Sequence, residues 1–292
     1  MRAAENYKTE EIPYKDTKAL IFLYNSLPGR IFLKFIIRTT ISKLAGFFMD
    51  SPVSKLLIQR FIKENNIDMR EYEKVKYKSF NDFFVRKLTD GNRPFSDNAQ
   101  DIVAPCDGKL TAYPIRPDGT FNIKNTIYTI DDLLQDKTLT DEFMDGVCLI
   151  FRLTPDDYHR YVYIDDGVIV SKKKIKGVLH TVRPISSDRY KVYKQNAREY
   201  TVLQTKNFGK IIQMEVGALF VGRIKNHVRE LTFKRGDEKG MFEFGGSTIV
   251  MLFQKNMIEI EKAIQENTQH NKETIIRMGN KLGRKAASGK EI

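Results

Sequence analysis

The sequence predicts an α+β protein, with N-terminal helices followed by a mostly antiparallel β domain. Three observations predict it. Residues 17–49 are the most apolar part of the chain, and their charges recur at helical spacing. From about residue 101 the texture changes to short runs rich in Val, Ile, Tyr and Phe, separated by turn residues. One of these runs, 242–250, is interrupted by Gly245-Gly246 directly before Ser247.

Within 17–49, Arg30, Lys34 and Arg38 recur every four residues and form one stripe on a helix, in an apolar segment that starts at Ile31 and runs on to Met49. Ile, Leu and Phe fill most of the remaining surface. A narrow basic stripe beside a broad apolar face suits a helix lying flat in an anionic membrane interface. A helix packed on its own domain is the alternative, but it needs a narrower apolar arc. Ser51 and Pro52 have the types of an N-cap and a first-turn residue for the next helix, whose apolar face is Leu56, Leu57, Phe61 and Ile62. Ser79 caps a short amphipathic helix over 79–88, and a Gly/Pro turn at 91–95 leads into a new domain.

Strands are expected at 147–153, 161–164, 168–175, 200–204, 210–221, 230–233 and 241–253. Asp165-Asp166-Gly167 and Arg235-Gly236-Asp237 are turns between them. The resulting division is a helical, membrane-associating region 1–95, a β-rich catalytic domain 96–256, and a polar, basic tail 257–292, part helix and part disordered.

Composition narrows the function. The 292 residues are 41% hydrophobic, enough for one large domain or two, and carry a net charge of +12. Such a charge favours a polyanionic partner, nucleic acid or an anionic membrane. Cys106 and Cys148 are too few for a disulfide framework and lack metal-ligand spacing, so a reducing compartment and no metal are expected. The N-terminus does not read as a secretory signal, and no uninterrupted run of 18 apolar residues predicts a membrane-spanning helix. Neither a P-loop nor a dinucleotide-binding glycine pattern occurs.

Three motifs could do chemistry together: Ala104-Pro105-Cys106-Asp107-Gly108, Asp156-Asp157-Tyr158-His159-Arg160 and Gly246-Ser247. They offer an acid, an imidazole and a hydroxyl. A serine hydroxyl needs a base to take its proton, and the base works best when a third group orients it. Glycine is disfavoured in strands, so Gly245-Gly246 marks a backbone conformation or a close approach that other residues do not allow. Singly, each motif also has a plain reading: a turn at Asp107-Gly108, a packed histidine, a strand serine beside a bulge.

The ordered series of motifs resembles the pyruvoyl-dependent phosphatidylserine decarboxylase proenzymes. The matching segments are 80–84 through Arg93-Pro94, 105–108, 157–160, 215–218, 221–224 and 242–248, within a similarity that covers roughly residues 70–285. The resemblance implies self-cleavage between Gly246 and Ser247. The Ser247 hydroxyl attacks the Gly246 carbonyl, the resulting ester is eliminated, and Ser247 becomes a covalent pyruvoyl group, the only cofactor. It implies a heterodimer of the chain's own pieces, β (1–246) and α (247–292). It gives Asp107 and a histidine the roles of orienter and base. The pyruvoyl carbonyl then serves as electron sink while phosphatidylserine loses CO₂ and becomes phosphatidylethanolamine. The substrate is an anionic membrane lipid, so the expected place is peripheral, on the cytoplasmic side of the cell membrane, with no nucleic acid bound.

Two positions depart from the family pattern. Gly245 stands where many members have Leu. Val162 stands where many have the second histidine of Tyr-His-Arg-x-His, commonly assigned as the processing base. Either His159 does that work or another group, such as His180, takes over. Rival readings are a non-cleaving serine hydrolase, a basic lipid- or nucleic-acid-binding protein without catalysis, and a decarboxylase of another serine-headed lipid. The hydrolase predicts Gly-x-Ser-x-Gly between strand and helix, whereas Ser247 is followed by the strand-like Thr248-Ile249-Val250-Met251.

Overall fold

The computed structural model describes residues 8–11, 18–123, 126–181, 190–218, 223–227, 230–244 and 247–287. Their architecture is mixed α/β, and every strand pair is antiparallel. The main sheet has nine strands among the described residues. Its spatial order is Thr9–Glu11, Lys272–Ile276, Gly108–Pro114, Val147–Leu153, Ser247–Phe253, Lys210–Val216, Arg198–Thr205, Gly167–Ile175 and Thr232–Phe233.

Strand side chains alternate between faces, and here both faces are covered. Leu149, Phe151, Ile249, Met251 and Phe253 enter one apolar layer; Cys148, Ile150, Val250 and Leu252 enter the other. All seven residues of Ser247–Phe253 are buried. That explains the continuous apolar run in the sequence: a strand covered on both sides has no reason to alternate.

The expected run 241–253 is two strands, Glu238–Phe242 and Ser247–Phe253, in different sheets. Glu238–Phe242 pairs with Ile224–Asn226 and Arg160–Val162 in a three-stranded sheet. The glycine-containing stretch between the two strands is thus where the chain changes sheets. The expected tail also differs. Through residue 287 it contributes the strands Ile258–Ile260, Lys272–Ile276 and Lys281–Lys285 and the helix Lys262–Gln269. Its Ile258, Ile260, Ile264, Ile276 and Leu282 all enter the core. Short strands with one buried residue in two carry so many polar side chains that they read as tail; residues 288–292 lie outside the described residues.

The N-terminal region is helical, as expected, but broken. Lys18–Asn25, Leu27–Ile36 and Thr39–Asp50 divide the apolar stretch 17–49 into three helices, and Ser26 caps the second by accepting from Gly29 N–H. Leu33 and Ile36 are buried, while Ile31, Phe32, Phe35, Phe47 and Phe48 remain exposed. No single helix among the described residues is long and apolar enough to cross a membrane. Ser51 makes no side-chain cap; its hydroxyl donates back to Phe48 O, and Pro52–Leu57 forms a 3-10 helix before Ile58–Glu64. Ser79 does cap the helix Phe80–Phe84, accepting from Asp82 N–H.

Between the main sheet and the small one, Glu215 is fully buried and accepts from Lys239 Nζ at 2.7 Å. Asn226 donates to Glu215 and accepts from Lys239 and the Tyr161 hydroxyl. Removing one ion of such a pair leaves the other uncompensated. We expect Lys239→Met to cost about 3–5 kcal/mol, and Lys239→Met with Glu215→Leu to recover part of it. Urea denaturation in an uncut Ser247→Ala background reads both.

Candidate active site

Three neighbouring strands bring the three motifs to one end of the main sheet. Gly108–Pro114 begins there, Val147–Leu153 ends there and Ser247–Phe253 begins there, with Lys109 opposite Arg152 and Ser247 opposite Leu153. Asp107 precedes the first strand, Asp157 and His159 follow the second, and Ser247 opens the third. Gly245 and Gly246 lie outside the described residues, as do Val221 and Gly222.

Ser247 is fully buried, and its Oγ has no hydrogen-bond partner among the described residues. His159 is likewise fully buried. Its Nδ1 lies 2.9 Å from the Asp157 carbonyl, and its Nε2 has no hydrogen-bond partner among the described residues. A carbonyl only accepts, so Nδ1 carries the proton and Nε2 presents its lone pair. Phe84 lies against the imidazole, ring centroids 4.2 Å apart. Phe84 and Phe80 also hold Phe244, at 5.4 and 4.9 Å. The aromatic motif 80–84 thus packs both the histidine and the segment leading to the glycines. Burial pushes the His159 pKa down to about 3, with the nearby Arg86 cation adding to the effect. Arg86 itself is buried and donates to the Asp157 carbonyl at 3.4 Å. His159 is therefore a neutral imidazole at physiological pH.

Asp107 is buried but does not hydrogen-bond to His159. Its carboxylate accepts from Arg93 Nε at 2.9 Å, Arg93 Nη2 at 2.6 Å and Met278 N–H at 2.8 Å. Arg93 also donates to Glu71. A cleft of about 730 Å³ opens beside this cluster, lined in part by Asp107, Lys109, Asp157 and Tyr72. Lys109 Nζ bridges Asp157 and Thr154. Burial pushes Asp157 up to about 6, against the pull of Lys109.

His180 belongs to another environment. It stacks on Tyr190 at 4.2 Å and meets the Tyr24 hydroxyl through Nδ1 at 3.3 Å. Its backbone is clamped by Asn196 on both sides. Val162 is buried in its strand, and its N–H donates to Pro105 O at 2.9 Å. Among the described residues no three His, Cys, Asp or Glu side chains converge as metal ligands. Sequence reasoning missed Arg93, Arg86 and the Asp157 carbonyl. Arg93 stood inside a quoted motif, whereas a backbone acceptor leaves no signal in side-chain types.

The phosphatidylserine decarboxylase family profile matches residues 80–284. The chain belongs to the phosphatidylserine decarboxylase family. It is 53% identical over 274 residues to phosphatidylserine decarboxylase proenzyme 2 of Clostridium acetobutylicum, covering 94% of each chain. It is 39% identical to the phosphatidylserine decarboxylase proenzyme of Clostridium novyi, over 91% of this chain and 92% of that protein. A Fusobacterium nucleatum proenzyme of the same name is 40% identical, over 97% and 95%.

Histidines buried neutral make the fold acid-sensitive. Burial also holds His180 down, to about 4, from the ordinary 6.5. Below pH 6.5 the unfolded chain takes up two protons that the folded chain refuses, so stability falls with pH. Asp157 acts oppositely, because below about pH 6 the folded state takes its proton first. Two histidines outweigh one aspartate. Between pH 6.5 and 5 we expect the urea midpoint of the Ser247→Ala chain to fall, and Asp157→Asn to steepen that fall by up to about 1.4 kcal/mol per pH unit. A flat profile would contradict the neutral, buried state of both histidines.

Proposed function

We propose that this chain is a self-processing phosphatidylserine decarboxylase that cuts itself between Gly246 and Ser247. The observation that carries the reading is that Ser247 Oγ and His159 Nε2, both buried and without a hydrogen-bond partner among the described residues, come from two of the three motifs that meet at one end of the sheet. Several other buried polar atoms also lack a partner; these two are set apart by being a hydroxyl and a neutral imidazole lone pair, the groups that a base-activated nucleophile needs.

His159 is the base in this reading, with its tautomer set by the Asp157 carbonyl. Nε2 takes the Ser247 hydroxyl proton as Oγ bonds to the Gly246 carbonyl carbon. The C–N bond breaks, the Ser247 nitrogen gains a proton, and the two pieces are joined by an ester. Loss of the Ser247 α-proton then expels the Gly246 carboxylate. The dehydroalanine left at 247 takes up water and releases ammonia, which yields the pyruvoyl group. That group supplies the electron sink for loss of CO₂ from the serine headgroup. Asp107 ties the strand start to Arg93 and to the Met278 backbone, so it steadies the site without touching His159. The hydroxyl that the pyruvoyl would replace is buried at a strand start with no competing partner, so the residues present fit the group.

The fold supports a heterodimer of the two pieces. After the cut, Ser247–Phe253 stays hydrogen-bonded to Val147–Leu153 on one side and Lys210–Val216 on the other. Intact mass spectrometry of wild type is expected to find residues 1–246 and a pyruvoyl-terminated 247–292 that co-purify until denatured. Ser247→Ala should stay whole, His159→Ala should cut at least about 100-fold more slowly, and His180→Ala should cut normally. A whole wild-type chain would sink the reading.

We extend the proposal to a peripheral place on the cytoplasmic face of the membrane. Phe47, Leu56 and Val53 are 77, 82 and 63% exposed, and the net charge of +12 suits an anionic leaflet. Phe47→Glu with Leu56→Glu is expected to weaken flotation with anionic vesicles about tenfold or more. Equal flotation of the double variant would remove the membrane role from these helices.

A further inference from the structure

The segment just upstream of the cleavage bond is held by side chains from two distant parts of the chain. Asn81 Oδ1 accepts from Phe244 N–H at 3.0 Å, and Asn81 Nδ2 donates to Asp50 Oδ1 at 2.6 Å. Asp50 Oδ2 in turn accepts from Arg223 Nη1 at 2.7 Å, and the same nitrogen donates to Glu243 Oε2 at 3.0 Å. Glu243 N–H donates to the Arg223 carbonyl at 3.1 Å. Glu243 and Phe244 are therefore gripped from both sides, and both arms end on one carboxylate. Asp50 closes the helix Thr39–Asp50, and Gly46 one turn earlier leaves room for the Arg223 guanidinium: a Cβ there would meet it at 3.3 Å.

We propose that Asp50, Asn81 and Arg223 form a clasp that registers the cleavage bond against the Ser247 hydroxyl, which rests on the self-cleavage reading above. Three peptide bonds separate fixed Phe244 from Ser247, so whatever fixes the Phe244 amide limits where the Gly246 carbonyl can go. A glycine pair in the sequence at this point makes such a restraint necessary. Two glycines permit many backbone conformations, and attack of a hydroxyl on its own upstream carbonyl needs one of them. The strand after Ser247 fixes one end by its ladder; the clasp fixes the other. Asn81 suits the task because its amide accepts and donates at once, linking a backbone N–H to a carboxylate with no net charge in a buried place. These three are positioning residues, since none is placed against the reacting atoms.

The test follows self-cleavage of the full chain from the moment of synthesis in a cell-free reaction, by gel and intact mass. Asp50→Ala and Asn81→Ala are expected to slow cleavage about tenfold or more, Arg223→Gln severalfold, and Arg223→Lys less than Arg223→Gln. Asp50 is the most telling site, because it is half-exposed and touches neither Glu243 nor Phe244. The slowed chains should resist hydroxylamine, which splits an ester but not an amide, because the block lies before the acyl shift. Melting temperatures in the Ser247→Ala background separate positioning from folding: Asp50→Ala should melt within a few degrees of its parent and still slow cleavage. Wild-type rates in both Asp50→Ala and Asn81→Ala, or a slowed chain that hydroxylamine splits, would overturn the clasp alone. A wild-type chain that never cuts would overturn the self-cleavage reading and the clasp with it.

Discussion

A chain that cuts itself and goes on working must place the cut where both products stay held. Ser247 is the first residue of a strand bonded on both sides and buried on both faces. The whole arrangement depends on that position. Cutting one residue later would remove a ladder residue; cutting far upstream would leave the new terminus on a free arm. At the start of a central strand, the new N-terminus inherits a fixed place from two hydrogen-bonded neighbours. The downstream piece then adds a further main-sheet strand and four apolar anchors, Ile258, Ile260, Ile264 and Leu282. Hydrophobic burial does not require chain continuity, so the peptide bond can be lost with little loss of cohesion.

The same burial sets the electrostatics. An imidazole in water divides its time between charged and neutral forms near pH 6.5. Here apolar rings and the Arg86 cation make the charged form unfavourable, so the lone pair is always present. The cost is two unsatisfied polar atoms, each about 1–3 kcal/mol by general measure. The surrounding layers of Phe, Ile and Leu offset it. A base kept neutral by desolvation is also a base reluctant to hold the proton it takes. It favours rapid hand-over of that proton, here to the departing Ser247 nitrogen.

Strand positions from 147 to 253 were legible because runs of Val, Ile and Phe between turn residues survive in a sheet covered on both faces. The strand Val147–Leu153 was read in full. The C-terminal strands were not legible: Lys272–Ile276 and Lys281–Lys285 interleave Lys, Arg and Glu with their buried residues, and each pairs on one side with a strand more than 150 residues away. The break between Leu27–Ile36 and Thr39–Asp50 was hidden because the apolar segment continues on both sides of Arg38, with no glycine or proline to mark it. At the site, the three motifs could be named but not joined. Antiparallel pairing of Gly108–Pro114, Val147–Leu153 and Ser247–Phe253 is a long-range fact. The Asp107–Arg93 pairing followed from no local rule, and the Asp157 carbonyl is invisible to any reading by residue type.

With Val162 in place of a second histidine, the proposed self-cleavage rests on His159 alone. A carboxylate beside a histidine fixes its tautomer and stabilises the imidazolium that forms. In this chain those two tasks separate. The Asp157 carbonyl fixes the tautomer fully, since it can only accept from Nδ1. The Asp157 carbonyl and the Asp156 charge favour the His159 cation, but burial and the Arg86 cation outweigh them. Asp107, the carboxylate expected to stabilise that cation, has its oxygens occupied by Arg93 and the Met278 N–H. For an enzyme that turns over many times a second this would be a serious loss. Self-cleavage happens once per chain, and its rate has only to outrun the life of the protein. A single-turnover reaction of this kind tolerates a weakly assisted base, provided the hydroxyl, the lone pair and the carbonyl are held in register.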